Sequence, residues 1–476
     1  MSLLSALLSS SNTLDAYTKV LEVTQNNVAN ASTPGYARQN LSLLAMPFDV
    51  QLGSPGGVTT GKQQTARNEY AEQAVRQQNT GFGREQQAAG SLTALQSLFD
   101  ISGNTGIPNA LNQFFQSASA WAQTPSNEAA RQTVIARAAD VAQNFQSTAI
   151  GLQNLAHDTD TQLHSTVDQV NQIVGQLQAY NHQILQSASR DSGIDTQVHA
   201  LMENLSQLVN FSAVQQADGS TTIMLNDATP LLVGERQFQL RVGLSVPASG
   251  INQNAPATAY LLAADGTDIT AKTTDGQLGA LLDMRNRVLP SYLGDANQAG
   301  DLNTMAKQFA DRVNELLTTG NISDGPPPQP GVPLFKYDAS NNTNVAKTLS
   351  VDPTVTPSQL AAISPGPPYV SNGVPLTLSQ LATPLAAADE INGVSYSEFY
   401  GNMAAKVGSQ LQSANNGEQV QQSLLAQARD QRQQVSGVSL DQEAMTLVEF
   451  QRAYEANSRF ITVLDQLTLD TINILK

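Results

Sequence analysis

The chain has 476 residues, of which 40 are acidic and 24 basic, and its formal net charge is −16. A surface of this sign repels phosphate backbones and anionic lipid headgroups, which argues against nucleic-acid and membrane-surface partners. The sequence contains no cysteine, and this excludes disulfides, zinc–thiolate sites and thiol nucleophiles. The opening "MSLLSALLSSSNTLDAY" has no basic region, and no apolar run approaches the roughly 20 residues that span a bilayer. We therefore expect a soluble chain that, if exported, carries no cleaved signal.

The first predicted element is a long helix with a heptad pattern. Apolar residues recur every seven positions at Leu7, Leu14, Leu21 and Val28. The companion seam position is weaker, because it holds Ser10 and Thr24 as well as Tyr17. This spacing predicts a coiled-coil-like helix that buries a narrow stripe.

The stretch "NNVANASTPGYARQN" (Asn26–Asn40) ends that helix, and one Arg is its only charged residue. We expect Asn30 to end the helix as a left-handed cap, because Pro34 cannot continue it. Thr33, Pro34, Gly35 and Tyr36 fit a type II turn, in which Pro sets the first central φ and Gly takes the positive φ at the second.

The middle of the chain predicts more helices and one β-rich unit. From Val134 to Ile184, apolar residues step by four and three, which indicates one long helix or a helix pair. "NFSAVQQADGSTTIMLND" predicts a hairpin around Asp218-Gly219, and alternating apolar residues predict further strands. "SDGPPPQPGVP" (Ser323–Pro333) reads as a stiff polyproline-like linker, and residues 334–390 as an irregular insertion.

The last predicted helix carries a second heptad seam. Leu440, Leu447, Tyr454, Ile461, Thr468 and Leu475 recur every seven residues, with Phe450 and Leu464 at the companion position. Phe460, Leu467 and Ile474 widen the stripe. The two seams are buried most simply if the chain ends pair with each other or with neighbouring copies.

These patterns predict a mainly α fold with a small β insertion. Long antiparallel, coiled-coil-like helices from both chain ends form a stalk, and a β-rich outer domain is inserted into it. The predicted segments are 1–60 (N-terminal axial helix and turn), 61–205 (helical stalk), 206–275 (β-rich unit), 276–320 (stalk return), 321–394 (Pro-rich irregular insertion), 395–435 (stalk) and 436–476 (C-terminal axial helix).

Catalytic and ligand-binding patterns are weak. Gly56-x4-Gly61-Lys62 is followed by Gln63 where a phosphate-binding loop has Ser or Thr. His157, Asp160 and His164 share one helix face, but their polar neighbours favour a solvated face over a metal site. We predict no enzyme activity, no metal, no cofactor and no small-molecule substrate.

Both ends of the chain resemble one protein family. "NNVANASTPGYARQ" (Asn26–Gln39) is similar to the N-terminal motif of bacterial flagellar rod, hook and hook-associated axial proteins. "SGVSLDQEAMTLVEFQRAYEANSRFITVLDQLTLDTINIL" (Ser436–Leu475) is similar to their C-terminal motif. Within the family, the segments Gly276–Gly320, Pro333–Ala339 and Ser395–Asn416 are most similar to members at the hook–filament junction.

The resemblance implies a structural subunit of the extracellular flagellum, exported unfolded by the flagellar type III apparatus. It implies assembly as a ring that joins the hook protein to the second junction protein and is needed for the filament. The terminal helices would be disordered in the monomer and form the inner layers on assembly. The assembly residues would be Leu7, Leu14, Leu21, Val28, Asn30, Thr33, Pro34, Gly35, Tyr36, Leu447, Phe450, Tyr454, Asn457, Ile461 and Leu464. An export chaperone would hold the C-terminal helix at Phe460, Leu467 and Ile474.

Two alternatives stay open. The first is that the chain is another axial protein, such as the hook protein or the second junction protein. The segments Gly276–Gly320 and Ser395–Asn416 argue against it. A secreted effector or adhesin with helical ends is the alternative from another class, but the small β unit shows no acid–base constellation that would indicate an enzyme.

Overall fold

The computed structural model describes residues 3–49, 54–99, 105–187, 191–226, 229–246, 252, 255–325 and 327–474. The helices of this part are α1 (Leu3–Ala29), α2 (Glu69–Gln96), α3 (Gly106–Gln123), α4 (Glu128–Ser187), α5 (Ser192–Leu208), α6 (Gly276–Asp283), α7 (Leu289–Leu293), α8 (Asp301–Thr319), α9 (Val345–Thr348), α10 (Gly373–Gln380), α11 (Tyr396–Ser436) and α12 (Leu440–Ile474). The strands are β1 (Gln39–Ala45), β2 (Phe48–Asp49), β3 (Ser54–Pro55), β4 (Val58–Thr65), β5 (Phe211–Gln215), β6 (Thr221–Leu225), β7 (Thr229–Val233), β8 (Arg236–Gln237), β9 (Arg241–Ser245), β10 (Thr258–Leu262), β11 (Asn321–Ser323), β12 (Gln329–Pro330), β13 (Phe335–Lys336) and β14 (Ser350–Val351).

The two chain ends pair as antiparallel helices, as predicted. The rings of Tyr17 and Phe450 meet edge to face with centroids 5.6 Å apart. Asn457 Nδ2 donates to the carbonyl of Ser10 at 2.8 Å. Ser10 lies seven residues before Tyr17, and Asn457 lies seven residues after Phe450. The two contacts therefore fix an antiparallel register. We call α1 and α12 the terminal helix pair.

A second antiparallel pair, α2 with α11, continues from the first and forms the stalk. Val75 of α2 packs with Leu425 and Ala428 of α11. Glu72 of α2 faces Arg432 of α11, and Glu85 lies beside Gly417. The chain thus passes from α1 through the β1–β4 hairpin into α2, and returns from α11 directly into α12.

The 60-residue helix α4 connects two apolar cores. Its first half, with Val141 and Phe145, packs against α3 and shares one core with α8 and α11. Its second half, with Val170 and Val174, packs with α5, α6 and the strands β5–β10. Of the predicted alternatives, one helix or a helix pair, a single helix forms. Its periodic apolar residues are buried along both halves.

The β-rich part contains the predicted hairpin. Strands β5 to β8 form an antiparallel sheet in that order, and β5 and β6 are joined by the turn at Asp218-Gly219. Strands β9 and β10 form a separate antiparallel pair. No helix in the described part of the chain has the length and apolar character needed to cross a bilayer.

The interpretation of Ser323–Pro333 as a stiff linker is wrong for its described residues. Strand β12 folds back antiparallel onto β11, and Gly331 N donates to the carbonyl of Gly320. Pro326 lies outside the described residues. The segment 334–390 contributes to the first core, since Leu334, Val345 and Leu378 are buried there. Proline punctuation gave no signal that the apolar side chains of this segment are buried.

Candidate functional site: the joint between the terminal helices and the stalk

Asn27 is the centre of a polar joint where α1, α12 and the following turn meet. Its side chain is 1% exposed. Its Nδ2 donates to the carbonyl of Gln39 at 2.9 Å and to Glu443 Oε2 at 3.1 Å. Its Oδ1 accepts from Gln39 N at 2.9 Å and from the Tyr36 hydroxyl at 3.0 Å. All four hydrogen-bonding positions of the amide are therefore used, which is what burial of such a group requires.

Glu443 brings the C-terminal helix into the same joint. Its carboxylate is 1% exposed, and it accepts from Arg38 Nε at 2.6 Å as well as from Asn27. Arg38 also donates its backbone N–H to the carbonyl of Ser436, at the end of α11. The carboxylate is thus paired and hydrogen-bonded, which offsets the cost of burying its charge.

The turn predicted at Thr33–Tyr36 forms, and it delivers Tyr36 to the joint. Gly35 has φ +74° and Tyr36 N donates to the carbonyl of Thr33 at 3.1 Å, as a type II turn requires. The Tyr36 side chain is buried, and its hydroxyl reaches Asn26 Oδ1 as well as Asn27. Burial, together with the charges of Glu443 and Asp191, raises the pKa of Tyr36 to about 12.

The expectation that Asn30 ends α1 as a left-handed cap is wrong. Among the described residues, only Asn226 and Asn392 combine a positive φ with a side chain. Asn30 instead closes the last turn with its side chain, which donates from Nδ2 to the carbonyl of Asn26 at 3.0 Å. The positive φ falls on Gly35, where it costs least.

Arg67 ties the turn to the stalk. Its Nη2 donates to the carbonyl of Gly35 at 2.9 Å, its Nε to Asp195 of α5 at 2.8 Å, and its Nη1 pairs with Glu72 of α2. Arg432 of α11 joins Glu72 at 3.2 Å to Glu203 of α5 at 2.6 Å. We call Arg67, Glu72, Asp195, Glu203 and Arg432 the charge cluster; all five side chains are at most 17% exposed.

The ionisation of Glu203 follows from this pairing. Burial alone would raise the pKa of its carboxyl, but the hydrogen bond and charge of Arg432, with a smaller contribution from Arg429, outweigh burial and lower it. The two arginines and three carboxylates of the charge cluster pair with one another, and Arg429 adds a third arginine beside Glu203. Such a closed set fixes relative positions more than it adds stability.

The predicted seam of α12 faces α1 and is only partly covered. Leu464 is buried, whereas Leu447, Phe450, Asn457 and Ile461 are partly exposed. Tyr454, also a predicted seam residue, is 38% exposed. The widening residues Phe460, Leu467 and Ile474 point outward. Leu475 lies outside the described residues.

Of the two predicted seam positions of α1, the companion position with Ser10 and Thr24 is buried, and the leucine position is not. Leu7, Leu14 and Leu21 are half-buried and Val28 is exposed. The buried residues are Ser10, Ala16, Val20, Thr24 and Asn27. The helix is rotated so that Asn27 reaches Glu443, and the leucine seam is left only partly covered. Thr33 and Pro34 are exposed on the surface of the turn.

Four residues of the joint were missed by the sequence analysis: Asn27, Arg38, Arg67 and Glu443. A signal existed for one of them. Glu443, Phe450, Asn457 and Leu464 are spaced by seven, so Glu443 occupies the companion seam position of α12. A charged residue on a buried seam implies a partner, but its position gives no indication that the partner lies more than 400 residues away.

Comparison with known proteins decides the family. The model of the flagellar hook-associated protein FlgK helical domain matches residues 92–335, just over half of the chain. The chain belongs to the flagellar hook-associated protein FlgK family. A second model, the C-terminal region of flagellar basal body rod FlgEFG proteins, matches residues 429–474, which contain all of α12. The chain is therefore a structural flagellar protein and not an enzyme.

Individual relatives agree with this membership. Flagellar hook-associated protein 1 of Bacillus subtilis is 26% identical over 97% of this chain and 96% of its own length. The Escherichia coli protein of the same name is 22% identical, over 97% of this chain and 98% of its own length. The solved structure of the flagellar hook junction protein FlgK from Burkholderia pseudomallei aligns with a TM-score of 0.64 at 16% identity, covering 77% of this chain and all of that one. That alignment supports the fold.

Proposed function

We propose that this hook-associated subunit forms the junction between hook and filament, and that it assembles there through the terminal helix pair. The observation that carries the proposal is the exposed apolar face of α12. Only Glu443 and Leu464 of that helix are buried. The relative from Burkholderia is described as a hook junction protein, which agrees with this role.

The exposed face of α12 is large for a chain that stays monomeric. Ten large apolar side chains of α12 are each at least one-third exposed: Leu440, Met445, Val448, Tyr454, Phe460, Val463, Leu467, Leu469, Ile472 and Ile474. Leu4, Leu8 and Val28 extend the same character to α1. Helical spacing places Met445, Val448, Phe460, Val463, Leu467 and Ile474 on one side of α12. An exposed apolar stripe of this kind marks an interaction site. The half-covered leucine seam of α1 would be buried by the same contacts.

The partners in this proposal are neighbouring copies in a ring, the hook protein on one side and the second junction protein on the other. A long amphipathic helix from each copy can pack side by side with its neighbours, as in a coiled-coil layer. The joint would then hold every stalk at the same angle to the axial layer. The alternative that the chain is another axial protein is disfavoured by the match of the FlgK helical-domain model to residues 92–335.

Before assembly, an export chaperone would cover the C-terminal helix. Phe460, Leu467 and Ile474 are all about half exposed or more, and Ile474 is 84% exposed. An uncovered stripe of this kind promotes aggregation. A pull-down with residues 437–476 as bait should retain a small helical partner from flagellated cells. Retention by a bait carrying only residues 206–275 would contradict the assignment.

The assembly role is tested by charging the exposed face without touching the joint. Val463→Glu with Ile472→Glu should leave the helical circular-dichroism signal of the protein unchanged, because both side chains are exposed. In cells these substitutions should abolish filaments. The matched control is Glu455→Gln, an exposed position on the same helix. Normal filaments on cells that express only the doubly substituted chain would overturn the proposal.

A further inference from the structure

The charged side chains of α1 form one stripe on the side of the helix that is turned away from α12. They are Asp15, Lys19 and Glu22, and all three are exposed. Their spacing of four and three residues places them on one helix face. Asp15 lies two residues from Tyr17, which contacts Phe450, and two residues are about 200° around a helix. The stripe therefore points away from the terminal helix pair.

A stripe with the opposite order of signs lies on the outer side of α12. It consists of Arg452, Glu455 and Arg459, spaced by three and four residues, and all three are exposed. Arg452 is again two residues, and hence about 200°, from the contact of Phe450 with Tyr17. Each copy thus presents one charged stripe on either side of its terminal helix pair. We call these the α1 stripe and the α12 stripe.

The two stripes are complementary when the helices that carry them run antiparallel. From Glu22 back to Asp15 the signs are minus, plus and minus, with steps of three and four residues. From Arg452 to Arg459 they are plus, minus and plus with the same steps, whereas in the parallel direction the steps do not match. The α1 stripe contains every charge of α1, so the other acidic residues of α12 lie opposite uncharged positions. The level pairs are Glu22 with Arg452, Lys19 with Glu455, and Asp15 with Arg459.

This pairing requires a register different from the one inside a single copy. Inside one copy Asp15 is level with Arg452, because Tyr17 is level with Phe450. In the stripe pairing Asp15 is level with Arg459, seven residues further along α12. The two helices are thus displaced by one heptad, which is about 10 Å along the helix axis. Without the displacement, Lys19 of a neighbouring copy would be level with Val448 and its charge would have no partner there.

The displaced register also brings exposed apolar side chains together near the free end of the pair. Leu8 of α1 is 53% exposed, and in this register it lies level with the turn of α12 between Val463 and Leu467. Leu4 is 65% exposed and lies between Leu467 and Ile474 in the same way. Apolar surface is therefore covered by apolar surface in the register that pairs the charges, so two independent features favour one arrangement.

We propose that the outer face of α12 receives α1 of a neighbouring copy, antiparallel and displaced by one heptad, with the two stripes setting the register. Copies related by rotation about an axis along the helices keep the direction of each helix, so α12 of one copy runs antiparallel to α1 of the next. The two stripes lie on opposite sides of the pair, so the contact is head to tail and repeats from copy to copy. Charges beside a helix seam set partner and orientation. This inference rests on the proposed assembly through the terminal helices and names the surfaces that meet.

Cysteine cross-linking tests the register, because the chain has no cysteine of its own. Ser11→Cys with Val463→Cys introduces two exposed thiols that are level in the displaced register. Ser11→Cys with Ala456→Cys is the matched control, since those positions are level when copies are not displaced. A short bis-maleimide, applied to flagella from cells with visible filaments, should give a ladder of multimers of this chain from the first pair only.

The ladder itself distinguishes the proposed contact from others. One thiol on each side of the pair links every copy to two neighbours in a head-to-tail contact, whereas a two-fold contact would stop at dimers. An equally strong ladder from Ser11 with Ala456, dimers alone, or no multimer of this chain in such flagella overturns the inference.

Charge reversal tests the role of the stripes. Glu22→Arg or Arg452→Glu alone should lower the multimer yield about fivefold, because reversal turns an attraction into a repulsion of similar size. The chain that carries both reversals should recover the yield, since it restores opposite charges at that level. If a single reversal removes filaments altogether, their return in the double variant is the readout. Failure of the exported double variant to recover contradicts the role of the stripes.

The two claims fail in different ways. The cross-link is scored only in flagella that have assembled filaments, so its absence refutes the register and leaves the junction role intact. Normal filaments without the terminal helix, tested separately, would refute the junction role.

Discussion

Asn27 and Glu443 are 416 residues apart in the chain, and their side chains form a buried hydrogen bond of 3.1 Å. This bond connects the end of α1 to the start of α12 where both leave the terminal helix pair. With Arg38 on the carboxylate and Tyr36 on the amide, it locks the exit of the N-terminal helix to the entry of the C-terminal helix. The two ends can therefore order only together at this point.

Replacing Asn27 tests the joint directly. Asn27→Ala should lower the free energy of unfolding by about 2 kcal/mol or more, because it strands the buried Gln39 backbone and the Glu443 carboxylate. Urea denaturation followed by circular dichroism measures the change. Asn40→Ala, an exposed amide on β1, is the control and should shift stability by less than about 0.5 kcal/mol. Equal effects of the two variants would show that the joint contributes no specific stability.

Arg67 is the most heavily used cation of the charge cluster. Arg67→Gln leaves Glu72 and Asp195 without their main partner in a buried site, and should cost about 3–5 kcal/mol. The comparison is Arg84→Gln, whose pair with Asp275 is exposed at both ends, so that its loss should cost less than about 1 kcal/mol. Thermal unfolding measures both. A shift for Arg67→Gln as small as that for Arg84→Gln would contradict the role of the cluster.

Glu443 should be sensitive to loss of charge. Glu443→Gln keeps the shape of the side chain but leaves Arg38 without its carboxylate, and we expect α12 to detach from the joint. Limited proteolysis should then cleave residues 437–443 faster than in the unsubstituted protein, because local opening exposes the backbone. Glu449→Gln, exposed on the same helix, should leave the cleavage rate unchanged. Unchanged cleavage in Glu443→Gln would contradict the proposed lock.

Alkaline pH should weaken the joint through Tyr36. Its folded pKa of about 12 lies above the unfolded value of about 10. Between these values the unfolded chain has released the phenol proton and the folded chain still binds it, so stability falls as pH rises from about 10 to about 12. Tyr36→Phe should make this fall shallower in denaturation curves measured across that range. Some slope should persist, because burial also raises the pKa of Tyr292 and Tyr396 to about 12. An identical slope in Tyr36→Phe would exclude a buried Tyr36.

The sequence predicted the helices better than it predicted which side of each helix is buried. Heptad spacing correctly indicated that α12 turns Phe450 and Leu464 toward a partner helix. The same rule applied to α1 ranked Leu7, Leu14 and Leu21 above the companion position, whereas Ser10 and Thr24 of that position are the buried ones, together with Asn27. Apolar periodicity does not identify a buried polar residue when the cost of its burial is offset by a hydrogen-bond partner distant in sequence. Asn27 was missed for that reason.

Local rules were reliable where the cause was local. Pro34-Gly35 predicted a type II turn because proline and glycine restrict the backbone themselves, and the Asp218-Gly219 hairpin formed for the same reason. Asn30 did not adopt a left-handed conformation, because Gly35 takes the positive φ further along. The charge cluster arises where Arg67 meets α2, α5 and α11 in space, and no spacing along the chain records that meeting.

The central claim is that α12 is required to build the junction between hook and filament. The most direct measurement is electron microscopy of cells whose only copy of this chain lacks residues 437–476, with Ser436 kept to bind Arg38 and Asn68 at the end of α11. The truncated chain should be detected outside the cells, which separates assembly from export. We predict hooks without filaments, with filament protein lost to the medium. Filaments of normal number and length on those cells would contradict the account.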